Sequence, residues 1–210
     1  MRVRTHGLVA GAAISLLLGA AVTPSAQAAA DKAGSAAPAA APAAVAAVGC
    51  TGGFTRGPYW YAGVDASVRA GTRMVADVQG PWTSDGVQAH MWHWYNGQSQ
   101  KWCLDPTENG SSGGTFYQVR NYYTGKCLDS GATGYGTLVK QQTCNSGTDQ
   151  RWYITSKGSY STPDGTQPAY EFRSVANGAG YCLDVREFGY ADGALLQTWS
   201  CSNGRNQRFY

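Results

Sequence analysis

Charge is scarce in this chain. Its 210 residues hold 16 Lys and Arg, 13 Asp and Glu and three His, for a formal net charge of +3. The basic side chains are scattered, with no block or stripe, which excludes a nucleic-acid face. Long apolar runs are missing too. The most prominent, residues 8–22, falls short of the ~20 residues a spanning helix needs, so no membrane partner is expected. No window combines a 3.6-residue apolar period with caps, so helix should be nearly absent.

Present instead are 28 Gly, 13 Tyr and seven Trp, the composition of a turn-rich β protein with aromatic rings to spare. Arg2 and Arg4, the apolar run and Ala26-Gln27-Ala28 follow one another in the order of a secretory signal peptide. Residues 1–28 are therefore expected to be removed and the protein secreted. Residues 29–48 are almost wholly Ala and Pro, a spacer with too little apolar surface to fold. Residues 49–210 make one domain's worth of chain. All six cysteines lie inside it, and an even count in an exported protein favours disulfides over metal or catalysis.

That domain is written three times. The triplet Gln-x-aromatic recurs as Gln100-Lys101-Trp102, Gln150-Arg151-Trp152 and Gln207-Arg208-Phe209. Upstream of each is an aspartate, Asp77, Asp129 and Asp184, at separations of 23, 21 and 23 residues. Gly86, Gly136 and Gly193 fall at one matching turn. The copies run approximately 50–105, 106–157 and 158–210, and their local signals are for short strands. A unit of this size cannot cover its own apolar face, whereas three stacked about an axis can. Repeat logic alone leaves a sandwich or a propeller fragment open as well.

The triplicated Gln-x-Trp pattern with its Cys-Leu-Asp openings resembles the ricin-B-type β-trefoil lectins and the matching bacterial carbohydrate-binding modules. The resemblance covers residues 50–210. It implies an all-β trefoil of twelve strands, six forming a short barrel and six capping it as hairpins. It also implies a secreted, non-enzymatic binder of a plant or microbial glycan, without cofactor or metal and monomeric.

Cys127 with Cys144 and Cys182 with Cys201 occupy equivalent places in the second and third copies, and each pair is expected to bond within its copy. Six cysteines allow fifteen connectivities, so this choice rests on the repeat register. Cys50 and Cys103 are then assigned to each other by elimination. The first copy has Val75 and Trp94 at the corresponding positions, an apolar pair suited to packing.

A pyranose offers a hydrocarbon face, which an aromatic ring can cover, and a rim of hydroxyls, which need paired donors and acceptors. A carboxylate can accept from two neighbouring hydroxyls in charge-assisted bonds, and an amide both donates and accepts. In the resembled family the pocket comes from the Asp of Cys-x-Asp, the aromatic two residues before the second cysteine, and the Asn before the triplet glutamine. The third copy supplies Asp184, Trp199 and Asn206 there, with Gln197 and Gln207 beside them. Gln207 has two readings, ligand contact or local backbone bonding. Strand alternation sends Leu196 and Trp199 to opposite faces, so an inward Leu196 leaves Trp199 outside. The first copy keeps Asp77, His90, Trp92 and Gln100, with Ser99 in place of the Asn. The middle copy keeps Asp129, but Gln142 stands where the ring belongs and Asp149 replaces the Asn, so its site needs Tyr135 from the nearby loop. Trp102, Trp152 and Phe209 are expected in the core. Trp60, Tyr61, Tyr122, Tyr123 and Tyr153 receive no role.

Other signals carry less. Residues 110–114 match the G-x-S-x-G nucleophile pattern but lack its strand-turn-helix setting. His90 and His93, three apart on a strand, face opposite ways and do not form a metal pair. A glycosidase needs two carboxylates flanking a cleft, whereas the aligned aspartates are spread one per copy and Glu108, Glu171 and Glu187 have no evident partner. The rival reading is a protein-interaction or protease-inhibitor module, acting through a protruding loop at 108–114 or 156–168.

Overall fold

The computed structural model describes residues 50, 73–80, 82–109, 115–132, 134–162, 165–189 and 191–210. The expectations for residues 1–28, 29–48 and 110–114, and for Trp60 and Tyr61, lie outside them.

Among the described residues the regular elements are strands: β1 (Met74–Val78), β2 (Ala89–His93), β3 (Trp102–Asn109), β4 (Thr115–Asn121), β5 (Cys127–Asp129) and β6 (Thr137–Leu138). Then come β7 (Lys140–Gln142), β8 (Trp152–Thr162), β9 (Gly165–Ser174), β10 (Tyr181–Val185) and β11 (Ala194–Ser200). Helix is confined to 3₁₀ turns of three residues each, as the missing apolar period implies. Among the described residues no helix is long and apolar enough to cross a membrane. Two departures from a regular four-strand copy show among the described residues. At Val139 the middle copy's strand changes partner, β6 pairing with β11 and β7 with β5. The last copy ends in an isolated bridge, Tyr170 to Phe209, instead of a strand.

The three copies show plainly in the hairpins β1–β2, β5–β7 and β10–β11, all antiparallel. Each places its aspartate opposite a polar residue: Asp77 faces His90, Asp129 faces Lys140 and Asp184 faces Gln197. After each hairpin a 3₁₀ turn, Gln98–Gln100, Thr148–Gln150 or Arg205–Gln207, ends on the triplet glutamine. The ring two residues on then drops into the core: Trp102 is 1% exposed, Trp152 and Phe209 0%. Each such ring removes roughly 150–250 Å² from water. The indoles are also tethered. Trp102 Nε1 donates to the Ala76 carbonyl at 2.9 Å and Trp152 Nε1 to that of Leu128 at 3.0 Å. Those carbonyls belong to the residue before each aspartate, so core packing fixes the strand that carries the carboxylate. Phe209 has no N–H to donate and meets Phe172 edge-on, 5.7 Å between centroids.

The disulfides are Cys50–Cys103, Cys127–Cys144 and Cys182–Cys201, with Cα atoms 5.3, 5.0 and 5.1 Å apart. In the first copy Val75 is fully buried. There the backbone closure survives without a bridge: Trp94 N donates to Arg73 O at 2.8 Å, where Cys201 N donates to Gly180 O at 3.1 Å. Of the segment 156–168 considered above as a protruding loop, residues 156–162 lie in β8 and 165–168 in β9, paired out to Thr162 and Gly165.

Candidate functional site

The third copy assembles the fullest site. Asp184 on β10 is 2% exposed, and amides surround it. Its Oδ1 accepts from Gln197 Nε2 at 2.9 Å, and its Oδ2 accepts from Asn206 Nδ2 at 2.7 Å and Gln207 Nε2 at 2.9 Å. A carboxylate has about four lone-pair sites, so three donors hold it in place and leave capacity toward solvent. Burial pushes its pKa above the ordinary carboxylate value, against the pull of these amides. Asn206 spends its N–H groups on Asp184 and on the Val185 carbonyl, 3.2 Å away, while its buried Oδ1 has no partner. A buried acceptor left open in this way is rare and demands an explanation; a ligand hydroxyl would satisfy it.

Alternation along β11 does the rest. Leu196 is fully buried, and Gln197 and Trp199 share the other face. Asp184, Gln197, Trp199 and Asn206 line one cleft of about 410 Å³, with Gly136 on its edge. A volume of that order suits a small ligand rather than a protein surface. Ser202 and the run Arg186, Glu187 and Phe188 complete the wall, and sequence reasoning gave that run no place in the site. Their turn contains two successive left-handed non-glycine residues, Glu187 at φ 56° and Phe188 at φ 53°. Such conformations cost of order 1 kcal/mol or more each and gather at binding sites. Nothing in Arg-Glu-Phe announces a left-handed turn, because the glycine and asparagine that usually mark one are missing.

The triplet glutamines lie beneath this surface and not in it. Gln207 is 0% exposed and outside the cleft lining; it receives the Ser202 N–H at 2.9 Å and donates to the Ser200 carbonyl at 3.0 Å. Gln100, also fully buried, repeats the clasp with Tyr95 N at 3.1 Å and the His93 carbonyl at 2.9 Å. Gln150 does so with Asn145 N at 2.8 Å and the Thr143 carbonyl at 3.1 Å. For Gln207 and Gln100, grouped above with the sugar-contacting residues, the geometry is that of local backbone bonding.

The first copy holds a looser version. Asp77 is 2% and His90 6% exposed, and Trp92, half-buried, lies 5.3 Å from the His90 ring. Burial pushes Asp77 up against the pull of Ser99, His90 and Gln100, and pushes His90 down. Both shifts favour the neutral forms, so desolvation outweighs the attraction within this pair. Asp77 Oδ1 has no partner, where the matching atom of Asp184 has Gln197. Ser99, in the place of Asn206, reaches Asp77 with its hydroxyl and also meets the Tyr95 hydroxyl at 3.0 Å. His93 is exposed and pairs with Asp192 at 2.6 Å, turned away from buried His90.

The middle copy departs furthest from the third. Asp129 Oδ1 accepts from Gly131 N at 2.8 Å, and its Oδ2 accepts from Gln150 Nε2 at 3.2 Å. Lys140 stands opposite it, and Gln142 holds the ring position. Tyr135 does not serve this copy: its ring lies 3.9 Å from that of Trp199, in the third.

Family models agree with this arrangement. One described as the ricin-type β-trefoil lectin domain matches residues 115–210, and one described as ricin-type β-trefoil lectin domain-like matches residues 65–134. No curated protein matches. Among solved structures, the designed three-fold symmetric protein ThreeFoil is similar at 25% identity and TM-score 0.57, over 73% of this chain and 96% of that one. An exo-β-1,3-galactanase from Clostridium thermocellum is similar at 25% identity and TM-score 0.57, over 74% of this chain but only 29% of the enzyme. The Rhizoctonia solani agglutinin shares the fold at 17% identity and TM-score 0.54, over 72% of this chain and 91% of that one. The two lectin-domain models together span residues 65–210, well over half of the sequence, and the chain belongs to the ricin-type β-trefoil lectin family.

Proposed function

We infer that this protein is a secreted, non-catalytic lectin whose principal sugar site is the third-copy cleft. The reading rests most on one observation: an amide-held carboxylate and an unpartnered Asn206 acceptor share a cleft with the half-buried indole of Trp199. In that site Asp184 and Asn206 Oδ1 accept from vicinal hydroxyls, Gln197 completes the rim, and Trp199 covers the C–H face of the ring. The first copy offers a second, weaker site through Asp77, His90 and Trp92. Gln100 and Gln207 support these carboxylates from below, and Asp129 supports the fold. Secretion is supported by the leader-like residues 1–28, and a monomeric state belongs to the same proposal.

A shallow site of this kind binds with about 4 to 6 kcal/mol, millimolar to tens of micromolar, and two sites on one body gain avidity on a polymer. The ligand class is a plant or microbial polysaccharide. Galactose-containing glycans are the first probe, because a similar structure belongs to a galactanase. The test is a glycan array with the intact protein and with Asp184→Ala and Trp199→Ala. Both variants should lose most of the signal while keeping the far-ultraviolet spectrum of the parent. Unchanged binding in both would contradict the assignment, and release of reducing ends from xylan, arabinan or galactan would contradict the absence of catalysis.

A further inference from the structure

The turn before each matched glycine carries Asp85, Tyr135 or Asp192, one per copy. In two of the three cases this residue grips the neighbouring copy at the same spot. Asp85 Oδ1 receives the backbone N–H of Thr143 at 2.7 Å, and Asp192 Oδ1 receives that of His93 at 2.7 Å. Thr143 and His93 each directly follow the ring position of their hairpin, as Ser200 follows Trp199. The third seam has no carboxylate to offer. All three loops carry the same backbone strap, Gly86 N to the Gln141 carbonyl at 2.9 Å, Gly193 N to that of Met91 at 2.9 Å and Gly136 N to that of Thr198 at 2.8 Å; in the third, Thr198 Oγ1 also donates to the Gly134 carbonyl. This carries the Tyr135 ring, 59% exposed, across to Trp199, with centroids 3.9 Å apart and planes 33° apart. A β-carbon at Gly136 would make ordinary van der Waals contact with the indole at 3.5 Å, and the backbone there is left-handed, φ +70°.

We propose that the third-copy sugar site is built by two copies, with Tyr135 acting as a positioning residue that holds one face of Trp199 so that the indole stands fixed beside Asp184. Tyr135 does not line the cleft itself. It backs the ring that does, and the ring gains a fixed orientation before any ligand arrives. This rests on the lectin reading above. It also bears on a difference between copies: where the seam residue is Asp192, reaching the first copy, the rings beside Trp92 among the described residues are those of His90 and His93.

The experiment replaces Tyr135 with the residue that the other two seams use. Tyr135→Asp retains a seam carboxylate able to receive Ser200 N–H, and Tyr135→Phe retains the ring. Affinity for the best array glycan is measured by titration calorimetry, and stability by thermal unfolding. Expected are a roughly tenfold loss of affinity in Tyr135→Asp, the size of one stacked aromatic pair, near-parental affinity in Tyr135→Phe, and similar melting temperatures. Parental affinity in Tyr135→Asp, with binding still abolished by Trp199→Ala, would overturn the proposal and leave the lectin reading intact. Tighter binding in Tyr135→Asp would overturn it too, because Tyr135 would then be covering the face the sugar uses. Indifference of binding to both Tyr135→Asp and Trp199→Ala would remove the third-copy site and the proposal with it.

Discussion

Replacing Gln207 by leucine tests whether the triplet glutamine is an internal clasp. The side chain is fully buried and makes four hydrogen bonds: from Ser202 N at 2.9 Å and Ser202 Oγ at 3.2 Å, and to Ser200 O at 3.0 Å and Asp184 Oδ2 at 2.9 Å. Leucine fits the space but leaves a backbone donor, a backbone acceptor and one carboxylate contact unmet. An unmet buried polar group costs roughly 1–3 kcal/mol. Ser200 and Ser202 lie at the surface, where water recovers part of that, so a net loss of about 3 kcal/mol is expected. Denaturant unfolding with the disulfides intact measures it as a shift of midpoint at constant slope. Gln98→Leu, an exposed change in the corresponding turn of the first copy, serves as the control and should stay within about 0.5 kcal/mol. A loss below about 1 kcal/mol for Gln207→Leu would refute the clasp and return Gln207 to the ligand surface.

Other expectations follow from the same geometry. Burial holds the Asp184 pKa above its ordinary value, so glycan affinity should be full above that raised pKa. It should decline as pH falls through it, starting above the ~3.9 of a free aspartate; a pH-independent affinity between 7 and 4 would contradict this. The sign for stability is opposite: the folded state binds this proton more tightly than the unfolded chain. Asp184 therefore contributes stability fully below the unfolded pKa, and the contribution is lost as pH rises through the folded one. Replacing Cys182 and Cys201 together with alanine opens a loop of sequence separation 19 and should cost about 3 kcal/mol by chemical denaturation. Lys140→Ala and Gln142→Ala, in the middle copy, should leave calorimetric glycan affinity unchanged, whereas Gln197→Ala should weaken it several-fold.

The repeat made most of the architecture legible, because Asp, Gly and Gln-x-aromatic positions recur at nearly fixed spacing and the core rings follow from them. It also located Asp184 and Trp199, since strand alternation couples an inward Leu196 to an outward Trp199. Gln207 was ambiguous from sequence, as an amide reads alike whether it bonds a sugar or a backbone. Lys140 opposite Asp129 was hidden by the two residues the middle copy lacks. Tyr135 aligns visibly with Asp85 and Asp192, yet no spacing rule says that this turn reaches into the neighbouring copy. Phe188 was invisible for another reason: its left-handed backbone is imposed by tertiary structure against the preference of its own residues.

The central claim is that a saccharide seats against Trp199 and Asn206 while the triplet rings remain core. Titrating ¹⁵N-labelled protein with a bound glycan and following side-chain resonances by NMR tests it most directly. The account predicts progressive shifts of the Trp199 indole N–H and the Asn206 amide, with the Trp102 and Trp152 indole signals unmoved. Saturable binding that leaves the Trp199 and Asn206 signals in place would contradict it.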